Sequence, residues 1–269
     1  MYLQYIDERL YGAWLASGSV IALLGLSDFG FSSVIIQKIA NLFGKKDMQN
    51  LGKMLGTNLV ISPILSSIPI IITFFIYSHV AGWVKIEGEE AVQISNAFWL
   101  ASISTSIMLI NYIVGGFFLG IQKTTIPSTM LIATSVIGII ASLVFLTRMD
   151  LGLISIPLGY ITGSLILAIG QIGYLWLWIS KNLPPKSLRF ELSYFKDLLG
   201  QSSWVFIDRL SKTASMQSDK LIVAVMIDPL YTTMLVFSKK ASDLLNTIVM
   251  NISAALMPGL AHLAAEGDN

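Results

Sequence analysis

The chain has no cysteine, two histidines and few charged residues, 12% over 269 positions with a formal net charge of +1. The absence of cysteine excludes disulfides, iron–sulfur clusters and thiol chemistry, and two histidines, His79 and His262, near opposite span ends leave nothing for a shared metal site. A near-neutral balance excludes a polybasic nucleic-acid binder. No GxxxxGK[ST], HExxH, GxSxG or strand-linked GxGxxG stretch occurs, and the adjacent Glu89 and Glu90 point apart on a helix, so no catalytic signature is present and no cofactor is expected.

What the chain has instead is apolar surface. Hydrophobic residues make up 54% of it and the mean hydropathy is +0.73, whereas soluble domains carry roughly 25% charged residues. The charge-free stretches Met54 to Val84, Ala91 to Gln122, Thr124 to Thr147 and Leu151 to Ser180 each exceed the roughly 20 residues that cross a bilayer. Leu10 to Asn41 is as long but contains Asp28, and 195–227 and 229–264 have spanning length with charges inside. Seven helices are predicted. Four such runs in succession point to a membrane bundle, because backbone groups in lipid must be satisfied within helices.

Lys38, Lys45, Lys46, Lys53, Lys123, Lys181, Lys186, Arg189 and Lys196 fall in one set of connections, and Arg9, Lys85 and Arg148 in the other. The richer set is predicted to be cytoplasmic, with Glu87, Glu89 and Glu90 outside and Trp83, Trp99, Trp176 and Trp178 as an interfacial belt. A shift of 220 positions aligns Leu10, Tyr11, Leu15, Leu24 and Ser33 with Leu230, Tyr231, Leu235, Leu244 and Ser253. One inserted residue then aligns Ala40, Leu42 and Asp47 with Ala261, Leu263 and Asp268. A period holding six helices predicts two parallel bundles. With residue 1 placed outside and no signal peptide, the chain reads as part of a longer polypeptide. The expected division is a first bundle over 1–180, a cytoplasmic linker over 181–196 and the start of a second bundle over 197–269.

The run LYGAWLASGSVIALLGLSDFGFSSVIIQKIANLFGKKD (10–47) resembles the second helix and first cytoplasmic loop of Wzx-type polysaccharide flippases, which belong to the multidrug/oligosaccharidyl-lipid/polysaccharide (MOP) exporter superfamily. The resemblance rests on Tyr11-Gly12-Ala13-Trp14 and Leu26-Ser27-Asp28-Phe29-Gly30. The segment SDKLIVAVMIDPLYTTMLVFSKKASDL (218–244) resembles the family's junction of helices 7 and 8. The resemblance implies an all-α, twelve-helix, two-bundle fold of the multidrug-exporter (MATE-like) kind, of which this chain supplies helices 2 to 8. It also implies a lipid-linked oligosaccharide substrate on undecaprenyl pyrophosphate, a proton or sodium ion for coupling, and the bacterial inner membrane as location, in lipopolysaccharide O-antigen assembly.

Read without the family, the chemistry lies in charged helices. Asp208, Arg209, Lys212, Asp219 and Lys220 fall on one arc, with Ser215 inside it, and Lys239, Lys240, Asp243, Asn246, Thr247 and Asn251 share a face of the next helix. Intramembrane charges are costly, so these faces should line a wet cavity or pair with each other. The expected i,i+4 pairs are Asp208 with Lys212 and Lys239 with Asp243. Arg209, Lys212, Lys220, Lys239 and Lys240 against Asp208, Asp219, Asp228 and Asp243 leave a cationic lining for an anionic headgroup. Arg209→Ala is therefore expected to insert normally and lose only transport. Asp28, Asp208, Asp219 and Asp243 are the candidate coupling residues, with Asp28 read as a lone carboxyl at a helix break beside Gly25 and Gly30. Gly116/Gly120 and Gly159/Gly163 predict close helix packing, and Pro63 and Pro69 a kinked helix. A cation exporter with an acidic cavity, and a glycosyltransferase or polymer ligase with a large external loop, are the alternative readings.

Overall fold

In a computed structural model, residues 2–245 and Val249 are described. Nearly all of them are helical: α1 (Glu8–Leu24), α2 (Phe31–Gly44), α3 (Met48–Ile76), a single turn α4 (Val80–Trp83), α5 (Glu89–Gly120), α6 (Thr125–Arg148), α7 (Ser155–Asn182), α8 (Leu192–Met226) and α9 over 229–245. Five segments, Glu8–Gly44, Met48–Trp83, Glu89–Gly120, Thr125–Arg148 and Gly152–Asn182, are long and apolar enough to cross a membrane. The chain is an all-α, multi-pass membrane protein. α8 has spanning length at 35 residues, but its charges keep it out of that apolar group. It begins at Leu192, inside the expected linker, of which only 183–191 is non-helical.

Capping side chains start the helices that emerge from loops. Asp7 accepts the N–H groups of Arg9 (2.8 Å) and Leu10 (3.3 Å). Asp228 accepts that of Leu230 at 2.9 Å, so α1 and α9 open with the same device, about one internal period apart. Asp47 caps α3 through Asn50 N–H (3.1 Å), and this bond, followed by the Asn50 side chain, holds its carboxyl below the usual carboxylate range. Pro63 and Pro69 lie inside a continuous α3.

Polarity is arranged for lipid rather than water. Ile64, Phe74, Phe75, Ile132 and Ile169 face outward, while Thr57, Asn58, Thr73, Ser102, Asn111, Ser164 and Gln171 are buried. Hydrocarbon rewards no burial of apolar groups, so small residues and hydrogen bonds hold the helices together. Thr73 donates to Ser102 at 2.9 Å, and Asn111 Nδ2 to the Ser164 carbonyl at 2.9 Å. A Cβ added at Gly159 would lie 2.5 Å from the Gly138 carbonyl oxygen, and one at Gly120 would lie 2.6 Å from Ile39 Cγ2. Both glycine spacings thus serve close packing, of α7 on α6 and of α5 on α2. Trp178 corrects the interfacial expectation: it is buried, edge-on to Phe117 with centroids 4.9 Å apart, whereas Trp176 and Trp83 remain exposed. A period-3.6 position decides which face a tryptophan takes, and proximity to a span end does not.

The lysine-rich connections gather at one end of the bundle. Ser187 packs on Gly52, Lys53 faces Glu191 at 3.7 Å, and Lys123 Nζ donates to Tyr174 Oη at 3.3 Å. At the other end Arg9 donates to the Lys85 carbonyl at 3.2 Å and lies 3.6 Å from Asp228. Single cysteines at exposed Lys45, Lys181 and Glu89 in this cysteine-free chain therefore report topology. Lys45 and Lys181 are chosen over their loop neighbours Lys46 and Lys186, whose left-handed backbones make a substitution strained. An impermeant maleimide added to intact cells should label position 89 and leave 45 and 181 unlabelled; the reverse pattern would invert the orientation.

Candidate functional site

The first span breaks at its polar sequence. Gly25–Asp28 form a 3-10 turn, and Phe29 (φ 47°) and Gly30 (φ 78°) adopt left-handed backbone before α2 restarts at Phe31. Gly30 is required twice: its φ favours glycine, and a Cβ there would lie 2.9 Å from Val205 of α8.

The break aims Asp28 inward, where it is not alone. Its side chain is 3% exposed, and Arg209 Nη1 of α8 lies 3.0 Å from Oδ2 and 3.2 Å from Oδ1. Ser32 Oγ donates to Oδ2 at 2.5 Å and Gly30 N–H to Oδ1 at 3.1 Å. Arg209 also donates to Ser33 Oγ at 2.6 Å. The lone-carboxyl reading is corrected: Asp28 is neutralised by the arginine expected to bind substrate, because folding brings α8 against the broken helix. Ser32 and Ser33 went unrecognised, since serines in apolar helices are common and only a partner reveals their use.

Other charges pair as well. Lys212 meets Asp208 at 2.8 Å, the i,i+4 pair read from sequence. Lys239 pairs with Asp219 across the α8–α9 turn, rather than primarily with Asp243 on its own helix. These four side chains are about half exposed or more. Lys240 and Asp243 are exposed on α9, while Asn246, Thr247 and Asn251 lie outside the described residues. The nine candidates therefore form no single cationic face; three of the five basic groups are matched by Asp28, Asp208 and Asp219.

The fifth, Lys220, stands apart. It borders an open cavity of about 780 Å³ lined by α1, α5, α6 and α7 and edged by α8. Its walls are largely apolar, among them Trp14, Leu109 and Ile139, with Ser104, Thr134, Tyr160, Ser164 and Gln217 adding polar groups. Lys220 Nζ donates to Gln217 Oε1 at 3.0 Å, and the same oxygen accepts Ser19 Oγ at 3.3 Å. Among the described residues, Lys220 is the only charged side chain lining this cavity. Ser104 and Thr105 were the legible signal for it: adjacent hydroxyls inside an apolar span that both line the cavity.

No protein-family model matches the sequence, and no curated protein matches it. A solved structure described as the inward-facing conformation of a multidrug resistance MATE family transporter of the MOP superfamily is similar to the chain, with a TM-score of 0.69 at 14% identity. The likeness covers 86% of this chain and 56% of that one. The chain thus spans little more than half of that transporter's length, and over that span it has a MATE-like transporter fold.

Proposed function

We propose that the protein is a MOP-type secondary transporter that moves an oligosaccharide linked to undecaprenyl pyrophosphate across the bacterial inner membrane by alternating access. The fold likeness supports transport and speaks equally for a multidrug exporter. One observation favours the anionic substrate: among the described residues the cavity is lined by Lys220 and by no carboxylate. A cation exporter needs an unpaired acid in its cavity, and the one buried acid among the described residues, Asp28, is matched by Arg209. In a low-dielectric chamber a single ammonium attracts a pyrophosphate far more strongly than in water. The polyprenyl tail stays in the bilayer, so only the headgroup must enter, and 780 Å³ lies within the ordinary range for ligand sites. On this reading the helices up to Asn182 form one bundle, 183–191 link it to a second that begins with α8 at Leu192, and a proton or sodium ion exchanges with Arg209 at Asp28.

Binding in lipid nanodiscs, followed by native mass spectrometry, tests the substrate. The pyrophosphate-linked oligosaccharide should bind, Lys220→Ala should weaken it about tenfold or more, and the lipophilic cation tetraphenylphosphonium should not compete. Binding of tetraphenylphosphonium with no binding of the glycolipid would establish the exporter reading instead.

A further inference from the structure

The segment joining α7 to α8 is held along α3 rather than looped free. Pro184 to Ser187 form a turn in which Ser187 N–H donates to the Pro184 carbonyl at 3.2 Å, with Pro185 and left-handed Lys186 (φ 64°) at its centre. The chain then runs against Gly52 and Gly56. A Cβ added at Gly56 would lie 2.6 Å from Arg189 N, and one at Gly52 would lie 2.5 Å from Ser187 Cβ. Glu191 N–H donates to Thr57 Oγ1 at 2.9 Å, and its carboxylate faces Lys53 at 3.7 Å. Two glycines one turn apart give a groove that admits backbone, and Thr57 fixes where the segment lies in it.

With one side on α3, the segment is apolar on the other. Leu188, Phe190 and Leu192 are exposed, at the two-residue spacing that puts the side chains of an extended segment on one side. The Phe190 ring is seated: its centroid lies 6.5 Å from that of Phe195, which packs on the core beneath. Lys186, Arg189 and Lys196 are exposed around this row and make no ion pair among the described residues. The depth is set by α3. Lys53 is the last charge before the charge-free stretch Met54 to Val84, so the contacts from Gly52 to Thr57 straddle the point where α3 enters hydrocarbon. Five residues of helix rise about 7.5 Å, comparable to the headgroup layer on one side of a bilayer. Val60 and Ile64, which follow Thr57 on the same stripe of α3, are exposed apolar residues that continue the row into the acyl region.

We propose that residues 186–192 anchor the protein in the membrane interface at its lysine-rich end. Leu188, Phe190 and Leu192 insert at the boundary of headgroups and acyl chains, and Lys186, Arg189 and Lys196 hold the phosphates of anionic phospholipids. An exposed apolar row flanked by unmatched cations favours an anionic bilayer surface over water. The anchor does not depend on the substrate proposed above.

Nitroxides on single cysteines at 188, 190 and 192 of this cysteine-free chain report depth through their collisions with oxygen and with a water-soluble nickel complex. The protein is placed in vesicles of phosphatidylethanolamine with phosphatidylglycerol. Oxygen should exceed nickel at all three positions, as at exposed Ile64 of α3, with position 190 about 5–10 Å below the phosphates. Nickel should exceed oxygen at exposed Lys45. In phosphatidylcholine alone, position 190 should shift toward water, and Lys186→Gln, Arg189→Gln and Lys196→Gln combined should give that shallower position in both lipids. Nickel in excess at 188, 190 and 192 would overturn the anchor by placing the row in water. Low values for both reagents would overturn it by placing the row under protein, a second copy or another part of the polypeptide. An unchanged depth at 190 on removing phosphatidylglycerol overturns the phosphate contacts. If the triple substitution also alters the Ile64 reading, the lipid comparison in the native chain decides.

Discussion

Truncating Arg209 to Ala should cost about 3–5 kcal/mol of stability, the magnitude seen when one partner of a buried ion pair is removed. The Asp28 carboxylate left behind is 3% exposed and would keep only Ser32 Oγ and Gly30 N–H as donors. Lys212→Ala removes the same unit of charge one turn further along α8. Its pair with Asp208 has side chains 71% and 60% exposed, so that change should stay within about 0.5 kcal/mol. Reversible unfolding in mixed micelles measures both. Replacing the buried pair together, as Asp28→Leu with Arg209→Met, should recover most of the loss, because no unmatched charge remains. Equal costs for Arg209→Ala and Lys212→Ala would show that the buried pair does not hold α8 to the broken helix. This expected loss of stability differs from the expectation read from the sequence, that Arg209→Ala inserts normally and fails only in transport.

Gly159→Val should be at least as damaging, at about 3 kcal/mol or more, because the added carbon meets backbone that cannot rotate away. The nearest atoms to a Cβ at that position are the Gly138 carbonyl oxygen at 2.5 Å and Ser142 Cβ at 2.6 Å. Four turns along the same helix, Gly173 has nothing within 4 Å of the equivalent position. Gly173→Ala should therefore stabilise the protein by about 0.5–1 kcal/mol through the loss of glycine's conformational freedom. Thermal unfolding of the two variants in detergent should move in opposite directions. A Gly159→Val protein as stable as the native chain would mean that α6 and α7 do not meet at these glycines.

The spans were legible in the sequence because their cause is local: a segment in hydrocarbon must satisfy its own backbone, and about 20 uncharged residues suffice to show it. The break at Gly25–Gly30 was legible for the same reason, since its glycines and Asp28 lie within one turn or two. So was the Asp208–Lys212 pair, whose four-residue spacing is helical geometry alone. The other pairings were not. Asp28 and Arg209 are separated by 181 positions, and no periodicity within either helix announces which helix it will face. Lys239 takes Asp219, 20 positions away, rather than relying on Asp243 one turn along, because the α8–α9 turn folds the two helices back on each other. Lys220 shares its arc with Arg209 and Lys212, yet of the three only it reaches the cavity, beside Gln217. The sequence by itself determined how many helices form, where they are polar and where they break, since hydropathy and helical period act between near neighbours. Only the tertiary structure decided which charges cancel and which one lines the cavity, because an ion pair in lipid is set by which helices become neighbours.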